Sequence, residues 1–237
     1  MKVEELSSYG KAFDHLPLRG QLLQARVMFS ELIKKFGWFA AIGFMIRVSK
    51  TGRQLKKDHG ATIRENFPGL SSSAYKELFM MAAMYYALSD IDGKDKAYAF
   101  IQGIVRKVGP TVHAVLYDIN NLKKCDGDIY TNFCKLNRSL FENSAATGFY
   151  ELEIEESENL QHIHMTKCLN VDAFTPLGCP EMGRIGCDFD VGGYAPEALG
   201  DKVNLDFRRP CTLVNGDDAC EFYYYRKGHA PAEIRTI

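Results

Sequence analysis

The sequence lacks an excess of charge of either sign: 29 Lys and Arg stand against 30 Asp and Glu in 237 residues. A nucleic-acid or membrane-surface partner usually announces itself as a basic face or a block of like charge. Neither is expected on this balance; a small-molecule substrate is, with self-association left open. Long apolar runs are also missing. The most apolar stretch, residues 36–46, spans 11 positions between Lys35 and Arg47, whereas crossing a bilayer takes about 20, so the expectation is a core helix. The first residues, MKVEELSSYGKAFDH, are polar with no apolar leader segment, and the seven cysteines are an odd number. Free thiols in a reducing cytoplasm are expected from that. There is no CxxC, no glycine-rich phosphate loop, no internal repeat and no low-complexity tract. The length suits one large domain or two small ones.

What is present divides by periodicity. Residues 1–20 form an N-terminal arm broken at Pro17. From Gln21, the side chains Leu22, Leu23, Val27, Phe29, Leu32, Ile33 and Phe36 recur at three- and four-residue steps, as on one face of an amphipathic helix. Gly37 breaks it before a second apolar piece over residues 38–48, and the basic segment KTGRQLKK (residues 50–57) reads as a solvated helix end. Ser71, Ser72 and Ser73 offer an N-cap to a helix running to about Ser89. Its Met80, Met81, Met84 and Tyr85 are the adaptable filler of a core rather than a ligand surface. Another helix begins near Lys94, carries Tyr98, Ile101, Ile104, Val105 and Val108, and is expected to kink or restart at Pro110. His113, among Val112, Val115 and Leu116, reads as a hydrogen-bonded core residue. A last helix over residues 129–141 completes a helical region, 21–145.

The period then changes to two. Tyr150, Leu152 and Ile154 alternate with glutamates, as in a half-buried strand, and residues 161–168 return beside it after a turn at Ser157-Glu158-Asn159. Strict alternation puts His162, His164, Thr166 and Cys168 on one face of this second strand. Two short helices are expected around residues 171–177 and 180–189. After Gly192-Gly193, Val203, Leu205, Phe207 and Arg209 line one strand face, Asn215-Gly216-Asp217-Asp218 makes a turn, and Cys220, Phe222 and Tyr224 share a face of the returning strand. Pro210 marks an edge strand or bulge. The fold class is α+β: a helical N-terminal half packed on a small C-terminal antiparallel sheet with inserted helices, residues 146–228, followed by a loose tail, 229–237.

Five of the seven cysteines (Cys168, Cys179, Cys187, Cys211, Cys220) fall between residues 168 and 220, among Asp172, Asp188, Asp190, Asp217 and Asp218. Three readings compete. A zinc site assembled across strands would draw on His164, Cys168, Cys187 and Cys220, although the spacings are wide. A catalytic thiol needs a base or cation beside it: Cys168 follows His164 by four residues, and Cys187 precedes Asp190 by three, one face of a helix. Otherwise the thiols are small buried hydrophobes.

The run from Tyr150 to Ile154, then Cys168, LGCPEMGRIGCDFD and FRRPCTLVNGDDACEFYY together resemble the L-2-amino-thiazoline-4-carboxylate hydrolase family over residues 148–226. The matching positions are Cys168, Gly178, Cys187, Asp190, Arg209, Thr212, Gly216, Asp217, Cys220 and Phe222, with Arg209-Pro210-Cys211-Thr212 departing from the family's Arg-Thr-x-Thr pattern. The resemblance implies hydrolytic opening of a cyclic amidine such as a 2-aminothiazoline carboxylate. Cys187 or Cys168 is then the candidate nucleophile, Asp190 or His164 the acid/base and Arg209 the carboxylate clamp at the pocket rim, with Thr212, Asp217 and Cys220 as further substrate contacts. No cofactor is implied. The closing G-D-x-x-C-x-F hairpin behind a helical half also resembles sensor domains of the vinyl-reductase type, which bind a small ligand without converting it.

Overall fold

A computed structural model describes residues 1–14 and 16–237. Among them the chain forms eight α-helices, α1 (Leu18–Phe36), α2 (Trp38–Asn66), α3 (Ser72–Asp92), α4 (Lys94–Leu116), α5 (Ile119–Leu122), α6 (Ile129–Ala146), α7 (Leu169–Phe174) and α8 (Ile185–Gly193), and four strands, β1 (Tyr150–Ser157), β2 (Leu160–Cys168), β3 (Leu205–Arg208) and β4 (Cys220–Arg226). The architecture is the expected α+β. Single glycines join α1 to α2 and α3 to α4: Gly37 and Gly93 sit at φ 79° and 83°, a region closed to most L-residues. The Ser71 side chain caps α3 by accepting from the Ala74 N–H. α2 runs unbroken through KTGRQLKK, so that segment is mid-helix and not a helix end. Straight-chain Lys, Arg, Gln and Leu are good helix formers, and one interior glycine, Gly52, does not stop them. The helix also exposes much of residues 36–46 instead of burying it.

The sheet is antiparallel in the order β1-β2-β4-β3. β3 is an edge strand, and Pro210, which cannot donate to a ladder, follows just beyond its end. Met165 faces Cys220 and Ile163 faces Phe222 across the β2–β4 pair, and these side chains turn inward onto α6 and α8. On the other face, His164 opposes Glu221 and His162 opposes Tyr223.

One irregularity decides where Cys168 goes. Glu151 pairs with Lys167 but Leu152 pairs with Met165, leaving Thr166 as an extra residue in β2. A bulge of this kind reverses the parity of everything after it. Cys168, paired with Tyr150, therefore joins the inner face, while His164 stays on the outer one.

α4 and α8 cross with their backbones nearly touching. A Cβ on Gly109 would fall 2.6 Å from the Phe189 carbonyl, one on Gly192 2.7 Å from the Arg106 carbonyl, and one on Gly193 2.1 Å from His113 Nδ1. Pro110 lies inside α4 without ending it. The tail is tied down at its end: Ile237 N–H donates to the Arg209 carbonyl at 3.0 Å, and Arg209 N–H donates to Thr236 Oγ1 at 3.2 Å.

Candidate active site

α8 carries two carboxylates that face different ways. Asp188 looks at α4, where Tyr98, Gln102 and Arg106 are spaced four apart and so form one stripe. It accepts from Tyr98 Oη at 2.7 Å, Gln102 Nε2 at 2.9 Å, and Arg106 Nε and Nη2 at 3.0 and 2.7 Å. With four donors, this buried carboxylate is saturated and serves as the clamp between α4 and α8.

Asp190 faces the sheet and is nearly bare of donors. The only hydrogen bond to its carboxylate among the described residues is a long one, 3.4 Å from Arg209 Nη1. Burial raises the carboxyl to about 7, and the Arg209 charge only partly opposes that. Asp190 lies deep among protein atoms, yet a quarter of its side chain remains accessible, as for a group on the wall of a recess. His113 Nδ1–H donates to the Gly109 carbonyl at 3.0 Å, leaving an unprotonated Nε2 turned toward Asp190 Oδ1 at 3.8 Å. Burial holds this imidazole down at about 4, against the Gly109 bond; it is neutral at pH 7 and gives Asp190 no countercharge.

Arg209 is carried inward by the alternation that buries Leu205 and Phe207. It lies 1% exposed, in the interior rather than at a rim. Its Nη2 donates to the Cys187 and Ile237 main-chain oxygens at 3.1 and 3.3 Å. Its Nε has no partner, and neither does the buried Thr212 Oγ1. The guanidinium thus faces a carboxyl that burial pushes toward its protonated form. Arg209 Nε and Thr212 Oγ1 are enclosed polar groups left without a partner.

The thiols Cys168, Cys187 and Cys220 meet here, near enough to influence one another's ionisation. Burial pushes Cys168 and Cys220 up to about 12. Cys187 is also raised by burial, with the Arg209 charge pulling the other way. Cys220 Sγ accepts from the Leu213 N–H at 3.2 Å. All seven cysteines are free.

Two predicted site residues lie apart. His164 is on the outer face, where its Nδ1 and His162 Nε2 meet Glu221 Oε1 and Oε2 at 2.8 and 2.5 Å. Burial alone would raise the Glu221 carboxyl; the two histidine bonds outweigh it and hold it below its ordinary value. The set His164, Cys168, Cys187 and Cys220 is therefore split by the sheet, with His164 on the outer face and the thiols on the inner side. Among the described residues, no group of three or more His, Cys, Asp or Glu is placed to hold an ion. Asp217 is exposed and holds loop backbone, accepting from the Thr212 N–H at 2.7 Å. It thereby positions Thr212. His113 is the contributor that sequence reasoning assigned to the core alone. Its signal was the Gly192-Gly193 pair, which lets α8 approach the ring.

No curated protein and no solved structure matches the chain. The family model of the L-2-amino-thiazoline-4-carboxylic acid hydrolases matches residues 73–224, from the start of α3 through most of β4 and more than half of the 237 residues. Asp190, Arg209, Thr212 and the three converging thiols all fall inside that span, and the chain belongs to the L-2-amino-thiazoline-4-carboxylic acid hydrolase family.

Proposed function

We propose that the recess between α8 and the inner face of the sheet binds a small carboxylate-bearing cyclic amidine, of the 2-aminothiazoline carboxylate type, and opens its ring by hydrolysis. The observation that carries this is the buried Arg209, whose Nε is without a partner, on the same segment as Thr212, whose enclosed Oγ1 is also unpartnered. A carboxylate accepts from both kinds of donor, and its bonds to the guanidinium are charge-assisted.

Asp190 supplies the acid/base function. A carboxyl poised near the working pH is the type that exchanges protons efficiently. Ionised Asp190 takes one proton from water as the water oxygen bonds to the ring carbon between nitrogen and sulfur and the C=N π pair moves onto nitrogen. As the adduct re-forms C=O, one ring bond breaks; the proton held by Asp190 and the one left on the added oxygen pass to the amidine nitrogen and the departing heteroatom. For a 2-aminothiazoline carboxylate, the sum is one water added and one carbamoyl-cysteine formed. The raised thiols favour water over a cysteine as nucleophile, since the thiolate is the attacking form.

The test is turnover of L-2-amino-thiazoline-4-carboxylate by the purified protein, followed as a product one water heavier. Asp190→Asn is expected to lower kcat by about 10²–10⁴-fold, the usual weight of a general base, while Cys168→Ala and Cys187→Ala keep most of it. Wild-type kcat is expected to rise with pH through about 7. A wild-type rate in Asp190→Asn would remove the carboxylate from the mechanism. Tight binding without product from the wild type would favour a sensor of the vinyl-reductase kind.

A further inference from the structure

The solvent face of α2 is apolar in its first half and cationic in its second. Trp38, Phe39, Ile42 and Ile46 are 61%, 92%, 45% and 54% exposed. Trp38 packs edge-on against Phe29 of α1 with ring centroids 5.6 Å apart. Phe29, Ile42, Met45 and Ile46 wall a hollow of about 370 Å³ that ends at Ser49 and Arg53. At the same three- and four-residue steps come Lys50, Arg53 and Lys57, all exposed, with Lys56 alongside.

Among the described residues these four cations form no ion pair, whereas Lys35 and Arg47 on the same hairpin are matched by Asp92 and Asp90. Between Trp38 and Lys57 there is no carboxylate at all. The even net charge of the chain hides this local field. Both helices also precede residues 73–224, the span matched by the family model.

We infer that this face of the α1–α2 hairpin docks the protein on an anionic phospholipid bilayer. A helix whose exposed face joins aromatic and aliphatic side chains to unmatched lysines and arginines lies in the interfacial plane, with its apolar part among the headgroups. Tryptophan favours that depth. Anionic headgroups supply the negative charge that the face itself lacks. A second copy would do so poorly: pairing two such faces brings together eight of these cations with only Asp58 from each copy, a carboxylate that accepts from Gln54 Nε2. The arrangement departs from the expectation, drawn from overall charge, that no membrane is involved.

Trp38 is the chain's single tryptophan, so its emission reports on this face alone. With vesicles of phosphatidylcholine and phosphatidylserine, the emission is expected to shift to the blue and the protein to sediment with the lipid. Phosphatidylcholine vesicles are expected to bind at least about tenfold more weakly, and roughly 0.5 M salt should release the protein. Two double variants, Phe39→Ser with Ile46→Ser and Lys50→Glu with Lys57→Glu, should each lose the shift. All four side chains are exposed, so far-UV circular dichroism is expected to stay unchanged and serves as the folding control. Equal binding to both lipids, or none, overturns the inference. So does a blue shift that grows with protein concentration in the absence of vesicles, which would place a second copy on this face.

Discussion

Thr212 is the residue whose burial is hardest to account for without a ligand. Its hydroxyl is enclosed and unpartnered, and its main chain is fixed by Asp217. An unpaired buried hydroxyl costs roughly 1–3 kcal/mol, and replacing it with an apolar group of the same shape is near neutral or stabilising. Thr212→Val is therefore expected to leave the unfolding midpoint unchanged or to raise it, while KM for a carboxylate substrate rises about tenfold, the equivalent of one lost hydrogen bond to a charged group. Thermal unfolding and steady-state kinetics on the same preparation decide it. A fall in stability with KM unchanged would make Thr212 an ordinary structural residue. Arg209 obeys the same logic in reverse: its charge is already desolvated in the free protein, so an incoming carboxylate meets a donor that has no hydration left to shed.

Among the elements, α8 is the one on which the site depends, because its two carboxylates divide the labour between holding and reacting. Its seat on α4 leaves no room for a Cβ at Gly193, where His113 Nδ1 would lie 2.1 Å away. Gly193→Ala must push α8 or the His113 ring aside, and overpacking of this kind costs about 1–3 kcal/mol. Denaturant unfolding should show that loss, and turnover should fall further than stability because Asp190 moves with the helix. A turnover loss no larger than the stability loss would detach Asp190 from the seat of α8. Asp188→Asn is expected to cost on the order of 2 kcal/mol, less than a fully buried pair, since Arg106 is about half exposed. Its effect on kcat should follow folding alone. Much of this was legible in the sequence. Alternation placed Arg209 with Leu205 and Phe207 on one strand face and Cys220 with Phe222 and Tyr224 on the face of the returning strand, and the i, i+3 spacing placed Cys187 with Asp190. The position of Cys168 relative to His164 was not legible, because the extra residue at Thr166 carries no local signature and a one-residue slip exchanges the faces. Nor could charge counting reveal that α2 continues through its basic segment or leaves its apolar residues outside. Whether such a face is covered depends on what packs there, and here Trp38, Phe39, Ile42 and Ile46 stay exposed.

At the scale of the whole molecule, the apolar interior forms two clusters, one centred on α2, α3 and α7 and one on α6 and the sheet, and Tyr150 and Phe189 pack against both. Asp190 follows Phe189 directly in α8, so its ionisation bears on the packing that joins the two clusters. Burial raises Asp190 from its model-peptide value of 3.8 to about 7, so between those pH values the native state binds more protons than the unfolded chain. Stability from this group is fully present below about 4 and is lost as pH rises through 7, the reverse of a salt-bridged carboxylate. One pKa unit is worth about 1.4 kcal/mol. Allowing for the accessible quarter of the side chain and for Arg209, the loss should be on the order of 2 kcal/mol. The informative quantity is a difference that isolates this group. The unfolding free energy of the wild type minus that of Asp190→Asn is expected to fall between pH 5 and pH 8, because an amide carries no proton to lose. If the difference stays flat across that window, Asp190 is already ionised at pH 5. Its carboxylate would then be matched by Arg209, and the recess would have no surplus positive charge with which to hold a substrate anion.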